Sequence, residues 1–153
     1  MIIGVISDTH GLLRPEAVDA LRGVDRIVHA GDVGGPEVLA ALGAVAPVVA
    51  VRGNNDRGVW AAALPETAVV EAAGLELYVL HDVGALDLDP AAAGFRAVIA
   101  GHSHRPHEEE RGGVLYFNPG SAGPRRFRLP IALGRLRIDA DGALRSEIVV
   151  LER

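Results

Sequence analysis

Three short apolar segments, separated by helical segments, make up the first third of the chain and limit its fold more than any other feature. Residues 2–6 form a continuous run rich in isoleucine and valine, and further segments that fit strands follow at 25–30 and 48–51. Runs of this kind are typical of strands that are buried on both faces. Between successive runs stands a proline that can open a helix, first Pro15 and then Pro36. The order strand, helix, strand, helix, strand predicts a parallel sheet with right-handed crossovers.

The second half of the chain predicts further strands with few helices between them. The segments that fit strands are 67–72, 75–81, 96–100, 114–117, 131–138 and 144–151, with a solvated strand or turn at 107–110 and an irregular stretch at 119–130. No linker, repeat or low-complexity segment divides the 153 residues. We therefore predict a single α/β domain covering residues 1–153, with two mixed sheets packed face to face and helices outside.

The composition of the chain excludes several classes of catalyst and partner. There is no cysteine and no lysine, since all fifteen basic residues are arginine. This excludes disulfides, thiolate chemistry, a phosphate-loop lysine and a Schiff-base lysine. A net charge of −5 and an aromatic content of 4% do not indicate a nucleic-acid partner, because such binding uses basic surface and stacking rings. Without a recognisable secretory signal or membrane span, the expectation is a cytoplasmic protein with no membrane partner.

Side chains that can bind metals follow the predicted strands where each strand ends. They are Asp8, His10, Asp32, Asn54, His81, His102 and His104. Ligands of open α/β sheets collect beyond the carboxyl ends of the strands, so we expect these side chains to meet. Alternate residues of an extended segment point the same way, which lets Asp8 and His10 share one ion. His102 and His104 can converge on one ion or divide between two.

Each of these motifs alone also has an ordinary interpretation as a turn or a surface loop. Their occurrence together, in this order and at strand ends, favours a metal site over coincidence. Glycines flank the candidate ligands where tight turns or close backbone approach are expected, at Gly11, Gly31, Gly53 and Gly101. A mixed set of imidazole and carboxylate suits divalent first-row transition ions; we expect Mn²⁺ first, with Ni²⁺, Fe²⁺, Co²⁺ or Zn²⁺ as alternatives.

The order Asp-x-His, Gly-Asp, Gly-Asn-x-Asp, His, Gly-His-x-His resembles the calcineurin-like metallophosphoesterase superfamily, and within it the small single-domain phosphodiesterases of the YfcE type. The resemblance extends to Asn-Pro-Gly-Ser at 118–121. It implies a four-layer α/β sandwich and a hydrolase, a phosphodiesterase rather than a monoesterase, that cleaves P–O bonds with a metal-bridging hydroxide. For the two divalent ions it implies one set of ligands at Asp8, His10 and His104, a second at Asn54, His81 and His102, and a bridge at Asp32.

Several residues beside these ligands depart from the family pattern or invite a role. Asn55 stands where larger members carry histidine, so we assign it a catalytic hydrogen bond to a phosphoryl oxygen; it cannot protonate a leaving group. This leads to the hypothesis that aryl esters and anhydrides are better substrates than alkyl diesters.

Asp82 replaces the usual glycine, as a solvated carboxylate or a supporting acceptor. Asp56 and His29 are interpreted as supporting the ligands, although His29 also fits a plain buried histidine. Arg105 is a candidate phosphate contact or an ordinary surface arginine.

A second hypothesis is a catalytically weak or inactive binding scaffold of the same fold, as in the retromer subunit. Asn55 favours it, whereas seven side chains with metal-binding chemistry argue against it. Dinucleotide chemistry lacks a Gly-x-Gly-x-x-Gly motif, and Ser121 lacks the first glycine of a nucleophile elbow. We expect a small phosphate ester as the substrate and, from the resemblance, a homo-oligomer.

Overall fold

The computed structural model describes residues 1–153 and contains ten strands in two mixed sheets of five. In chain order the elements are β1 (Ile2–Ile6), α1 (Pro15–Ala20), β2 (Arg26–His29), α2 (Pro36–Gly43), β3 (Val48–Ala50), α3 (Val59–Ala62), β4 (Thr67–Ala72), β5 (Leu75–Leu80), a 3₁₀ helix (Val83–Ala85), β6 (Ala97–Ile99), β7 (His107–Arg111), β8 (Val114–Asn118), β9 (Ile131–Ile138) and β10 (Leu144–Glu152). The first sheet has the order β10-β9-β1-β2-β3 and the second β4-β5-β6-β8-β7. The predicted fold class is confirmed. Helix α3 was not predicted, because a single turn is too short to show helical periodicity.

The interior of the molecule is the layer between the two sheets. One face of the first sheet supplies Ile3, Val5 and Val28, which pack against Leu77 and Phe117 of the second sheet. These side chains alternate along their strands with others that face outward, as expected for strands covered on both sides. Burial of this aliphatic layer stabilises the sandwich by roughly 25 cal/mol for each Å² of apolar surface removed from water.

The outer faces of the two sheets are covered differently. On the first sheet, a second buried cluster joins strand residues to the helices. It contains Leu21, which caps α1, and Val38 and Leu42 of α2. On the second sheet, Tyr78 and Val98 are covered by partly buried apolar side chains of the loop 86–95 and not by an α-helix. None of the helices has the length and apolarity that crossing a bilayer requires.

The parallel strands of both sheets end at one edge of the sandwich. β1, β2 and β3 run parallel to one another, and so do β5, β6 and β8. The loops after these strands are tied together by backbone hydrogen bonds: Asp8 N donates to Gly31 O at 3.0 Å and Gly101 N donates to His81 O at 2.9 Å. A further bond joins Ala122 N to Ser7 O at 3.1 Å. The fold therefore gathers the loops that carry the predicted ligands.

Candidate metal centre

One carboxylate oxygen of Asp8 lies at the centre of three imidazole rings. Asp8 Oδ1 is 3.4 Å from Nε2 of His104, and 3.8 Å from Nε2 of both His10 and His81. The two nitrogens His10 Nε2 and His104 Nε2 are 3.4 Å apart. The loop after β1 thus supplies two of these groups, and the loops after β5 and β6 supply the others. Asp8, His10 and His104 form one group whose ligand atoms all lie within 4.8 Å of one another.

Asp32, at the end of the loop after β2, occupies the position between the two sets of predicted ligands. Its Oδ2 is 3.3 Å from Nε2 of His81 and 3.7 Å from Nε2 of His10. The ligand atoms of Asp8, Asp32 and His81 also lie within 4.8 Å of one another, and these residues form a second group. A carboxylate placed in this way reaches ions on either side of it, which fits the bridging role that the resemblance implies.

Asn54 and His102 form the outer edge of the cluster. Asn54 Oδ1 is 3.2 Å from His102 Nδ1, and the His102 ring meets the His81 ring edge-on with 5.1 Å between their centroids. The His102 side chain is 45% exposed, against 3% for His104. Asn54 is exposed as well. The structure therefore gathers all seven predicted ligands at one edge, with Asn54 and His102 the most exposed of them.

The backbone at the candidate ligands is strained. Seven non-glycine residues have positive φ angles, and five of them are predicted ligands: Asp8, His10, Asp32, His102 and His104, with φ between 47° and 70°. Left-handed backbone at such residues costs free energy and persists where the surrounding structure imposes it, commonly at functional sites. Since this geometry aims the side chains inward, it is a second sign of function that does not depend on the distances.

Two glycines allow the backbone to approach the carboxylates. A Cβ at Gly53 would collide with the backbone and carboxylate of Asp32, and a Cβ at Gly101 would collide with Ser7 Oγ and the Asp8 carboxylate. Any side chain at either position would displace a candidate ligand. The close approach that the sequence predicts at these glycines is therefore present.

The electrostatics of the cluster favour ionised carboxylates. Burial raises the pKa of Asp8, but the nearby rings of His104 and His81 and a hydrogen bond from Ser7 outweigh it, so the pKa is lowered overall. Burial likewise raises the pKa of Asp32, yet interactions with His81 and hydrogen bonds from Asn55 lower it well below its usual range. The pKa of His81 is raised: burial lowers it, while Asp32, Ala30 O and Asp8 favour the charged ring more strongly. Two anionic oxygens thus face the imidazoles.

Buried polar atoms without a partner provide the test of whether metal ions fit here. Asp8 Oδ1 and His81 Nε2, which face each other at 3.8 Å, are buried and make no hydrogen bond. Buried polar atoms nearly always have partners, and an orphaned one calls for an explanation such as an ion. Carboxylate and imidazole are suitable ligands for divalent first-row ions. The residues present therefore fit a metal centre.

Neighbouring residues hold the ligands in place. His81 Nδ1 is 2.7 Å from Ala30 O, which directs its other nitrogen into the cluster. Asp56 accepts hydrogen bonds from the backbone of Val33, Gly34 and Gly53, so it anchors the loops on both sides of Asp32. His29 is fully buried; its Nε2 is 3.0 Å from Thr9 Oγ1, and its Nδ1 accepts from Gly31 N at 3.1 Å.

Both the backbone and the side chain of Asn55 are hydrogen-bonded to Asp32. Its backbone N donates to Asp32 Oδ1 at 2.8 Å and its Nδ2 donates to Asp32 Oδ2 at 3.0 Å. A carboxamide nitrogen carries two hydrogens, so one remains for a phosphoryl oxygen. The sequence alone did not indicate the contact with Asp32.

Three supporting hydroxyl and amide groups were missed by sequence reasoning. Ser7 Oγ donates to Asp8 Oδ2 at 2.7 Å, and Ser121 Oγ donates to the backbone oxygen of Asp8 at 3.0 Å. Asn118 Nδ2 donates to Gly101 O at 2.9 Å. The Asn-Pro-Gly-Ser block at 118–121 was the available signal for two of them, whereas Ser7 showed none.

Arg105 lies away from the cluster of ligands. Its side chain is exposed and makes no hydrogen bond or ion pair, and it borders a separate cavity of about 230 Å³ with His107, Arg111 and Tyr116. Its predicted contact with a phosphate stays a prediction. Residues 107–110, expected as a solvated strand or turn, lie in the exposed edge strand β7.

Comparisons with known proteins cover the whole of this site. The sequence profile of the calcineurin-like phosphoesterase superfamily domain matches residues 1–141. A probable metallophosphoesterase from Methanothermobacter thermautotrophicus is 37% identical over 161 residues, which cover 97% of this chain and 92% of that protein. All the candidate ligands lie within both matches.

Solved structures give the same picture of the fold. YfcE, a phosphoesterase from E. coli, superimposes with a TM-score of 0.72 at 26% identity and covers 99% of this chain and 100% of its own. A single-substitution variant of Vps29 from Entamoeba histolytica gives a TM-score of 0.76 at 25% identity, with 98% of this chain and 99% of that chain covered. In each case the likeness extends over nearly the full length of both chains.

Proposed function

The chain belongs to the calcineurin-like phosphoesterase superfamily, which makes it a metal-dependent phosphoesterase, and we propose that it is a phosphodiesterase with a dinuclear centre. Asp8, His10 and His104 would hold one divalent ion, and Asn54, His81 and His102 would hold the other. Asp32 would contact both. Mn²⁺ is the first choice for the ion because the ligand set mixes carboxylate with imidazole.

The observation that carries this proposal is the convergence of two ionised carboxylates and four imidazoles from separate loops on one strained, partly buried cluster. The orphaned atoms Asp8 Oδ1 and His81 Nε2 point to bound cations. The positive charge of two divalent ions exceeds the negative charge of Asp8 and Asp32, which leaves a centre that attracts a phosphate anion. When bound, the ions supply Lewis-acid activation of water and of the phosphoryl group.

The chain's own residues orient the reaction. Hydrolysis adds the oxygen of water to phosphorus and breaks the bond to the leaving oxygen, and the proton from water ends on the released alcohol. Asn55 keeps Asp32 oriented through two hydrogen bonds and offers its remaining N–H to a phosphoryl oxygen. Because no side chain that can donate a proton replaces the usual histidine at this position, substrates with good leaving groups should react best. The exposed His102 marks the side from which the ester enters.

Metal removal and reloading test the proposal directly. Chelated protein should show no hydrolysis of bis(p-nitrophenyl) phosphate, and reloading should restore turnover with two ions per chain measured by elemental analysis. Reloading with each first-row ion and comparing a diester with a monoester decides the metal and the ester class. A folded protein that takes up no metal and hydrolyses neither ester would contradict the enzyme and support a binding scaffold.

A further inference from the structure

A cavity of about 370 Å³ lies directly beside the candidate centre. Two of the predicted ligands, Asn54 and His81, form part of its wall. The remaining wall is made by Arg52, Gly53, Glu66, Thr67, Tyr78, Leu80, Asp82, Ala85 and Asp87. We call this space the acidic cavity. A substituent on a phosphate bound at the centre can extend into it.

The acidic cavity carries unbalanced negative charge. Its single basic side chain, Arg52, is paired with Glu66 at 3.0 Å and is therefore neutralised. Asp87 makes no hydrogen bond or ion pair. Asp82 accepts a hydrogen bond from Gly84 N at 2.9 Å through Oδ1, and its Oδ2 is 3.9 Å from His102 Nε2. Two carboxylates thus face the cavity without a basic side chain of lysine or arginine to balance them.

The acidic cavity adjoins the candidate centre through shared residues. Asn54 and His81, both predicted ligands, form part of its wall, and Asp82 in the same wall lies 3.9 Å from Nε2 of the predicted ligand His102. A group attached to a phosphate at the centre therefore has this cavity next to it. Tyr78 adds an aromatic wall, and aromatic faces attract cations.

From these features we infer that the preferred substrate is a phosphodiester in which one alcohol substituent carries an ammonium group, held in the acidic cavity by Asp82 and Asp87. The inference rests on the proposed phosphodiesterase activity and specifies its substrate class. The same charges repel polyanionic substituents such as oligophosphates.

Two chromogenic diesters that differ only in charge test this. p-Nitrophenyl phosphorylcholine carries a trimethylammonium group, and p-nitrophenyl 3,3-dimethylbutyl phosphate carries a neutral group of the same shape. The metal-loaded protein should prefer the choline ester by about tenfold in kcat/KM, because one cation meets two carboxylates near the surface. The preference should shrink at high ionic strength. Equal kcat/KM for the two esters would overturn the inference and leave the proposed activity intact.

Charge-neutralising variants connect the preference to the cavity. Asp87→Asn should reduce the preference about threefold without loss of bound metal. Glu76→Gln is the matched control, since it removes one negative charge from an exposed position at the other end of β5, outside the cavity. An unchanged preference in Asp87→Asn, or a bound ion lost from it, would overturn the assignment.

A binding measurement separates the two proposals if neither ester is hydrolysed. That result would refute the phosphodiesterase activity, but calorimetric titration with phosphocholine and with 3,3-dimethylbutyl phosphate would still decide the substrate class. Tighter binding of phosphocholine to the metal-loaded protein, weakened in Asp87→Asn and not in Glu76→Gln, supports the acidic cavity as an ammonium site. Equal affinities refute it.

Discussion

The candidate centre has an inner and an outer part, and they differ in how firmly the protein holds them. The inner ligands Asp8, Asp32, His81 and His104 are buried, and surrounding groups hydrogen-bond the first three, such as Ser7 Oγ to Asp8 at 2.7 Å. The side chains of the outer pair, Asn54 and His102, lie 3.2 Å apart and are exposed. A site arranged in this way has rigid ligands on the protein side and adjustable ligands on the substrate side.

The largest effect is expected at Asp32, the inner ligand proposed to contact both ions. Asp32→Asn should lower kcat/KM for an aryl diester by about 10³-fold, because it removes a charge that orients and balances both ions. Elemental analysis should also show fewer than two ions per chain. Asp141→Asn, in the β9–β10 turn, is the control and should keep full activity. Loss of less than tenfold in Asp32→Asn would remove Asp32 from its bridging role.

His29, which is fully buried, should make the free energy of unfolding depend on pH. Burial lowers the pKa of His29 to about 4 even though Asp8, Asp56 and Asp32 oppose the shift. The unfolded chain binds this proton near pH 6.5, so the stability that neutral His29 allows is present above pH 6.5 and is lost as the pH falls toward 4. In chelator, the free energy of unfolding should drop by roughly 2 kcal/mol between pH 7 and 4.5 from this group.

Denaturant titrations at several pH values check the contribution of His29. His29→Gln should flatten this part of the pH dependence, while His107→Gln, at an exposed position, should not. If His29→Gln followed the wild-type slope between pH 7 and 4.5, the buried ring would have no part in it.

A smaller effect should distinguish the two parts directly. His104→Ala should weaken metal binding about tenfold more than His102→Ala, because the inner imidazole is lost from a buried, pre-arranged set of ligands. Competition with a chromogenic chelator measures both affinities. Equal weakening by the two substitutions would show that the difference in burial has no energetic consequence.

The smallest effect is expected at Asn55, on the outer side of Asp32. Asn55→His should increase turnover of an alkyl diester about tenfold more than it increases turnover of an aryl diester. This gain is below the usual range for a general acid. The gain is limited because the variant loses the side-chain hydrogen bond to Asp32 Oδ2 at 3.0 Å. Steady-state rates on both esters test it, with Asn55→Ala as the control for loss of the bond alone. Equal gains on both esters would refute the leaving-group argument.

Much of the fold could be predicted because it is encoded in local patterns. The apolar runs at 2–6 and 131–138 are strands at those positions, since period and residue type suffice to identify buried strands. The outer cover of the second sheet by the loop 86–95 could not be predicted. It depends on the packing of Phe95 and its neighbours against Tyr78, and the ring centroids of Phe95 and Tyr78 are 5.0 Å apart. No local sequence pattern encodes such a contact.

The sequence by itself determined the chemistry of the candidate centre: the types of ligand, their order, and their positions at strand ends. Only the tertiary structure decided that Asp8 Oδ1 faces three imidazoles, that Asn55 binds Asp32, and that two carboxylates face one cavity beside the centre. The physical reason is range. Strand propensity and turn chemistry act between neighbours in the chain, whereas these contacts join residues far apart in sequence and exist only because two sheets pack with their parallel strands ending at one edge.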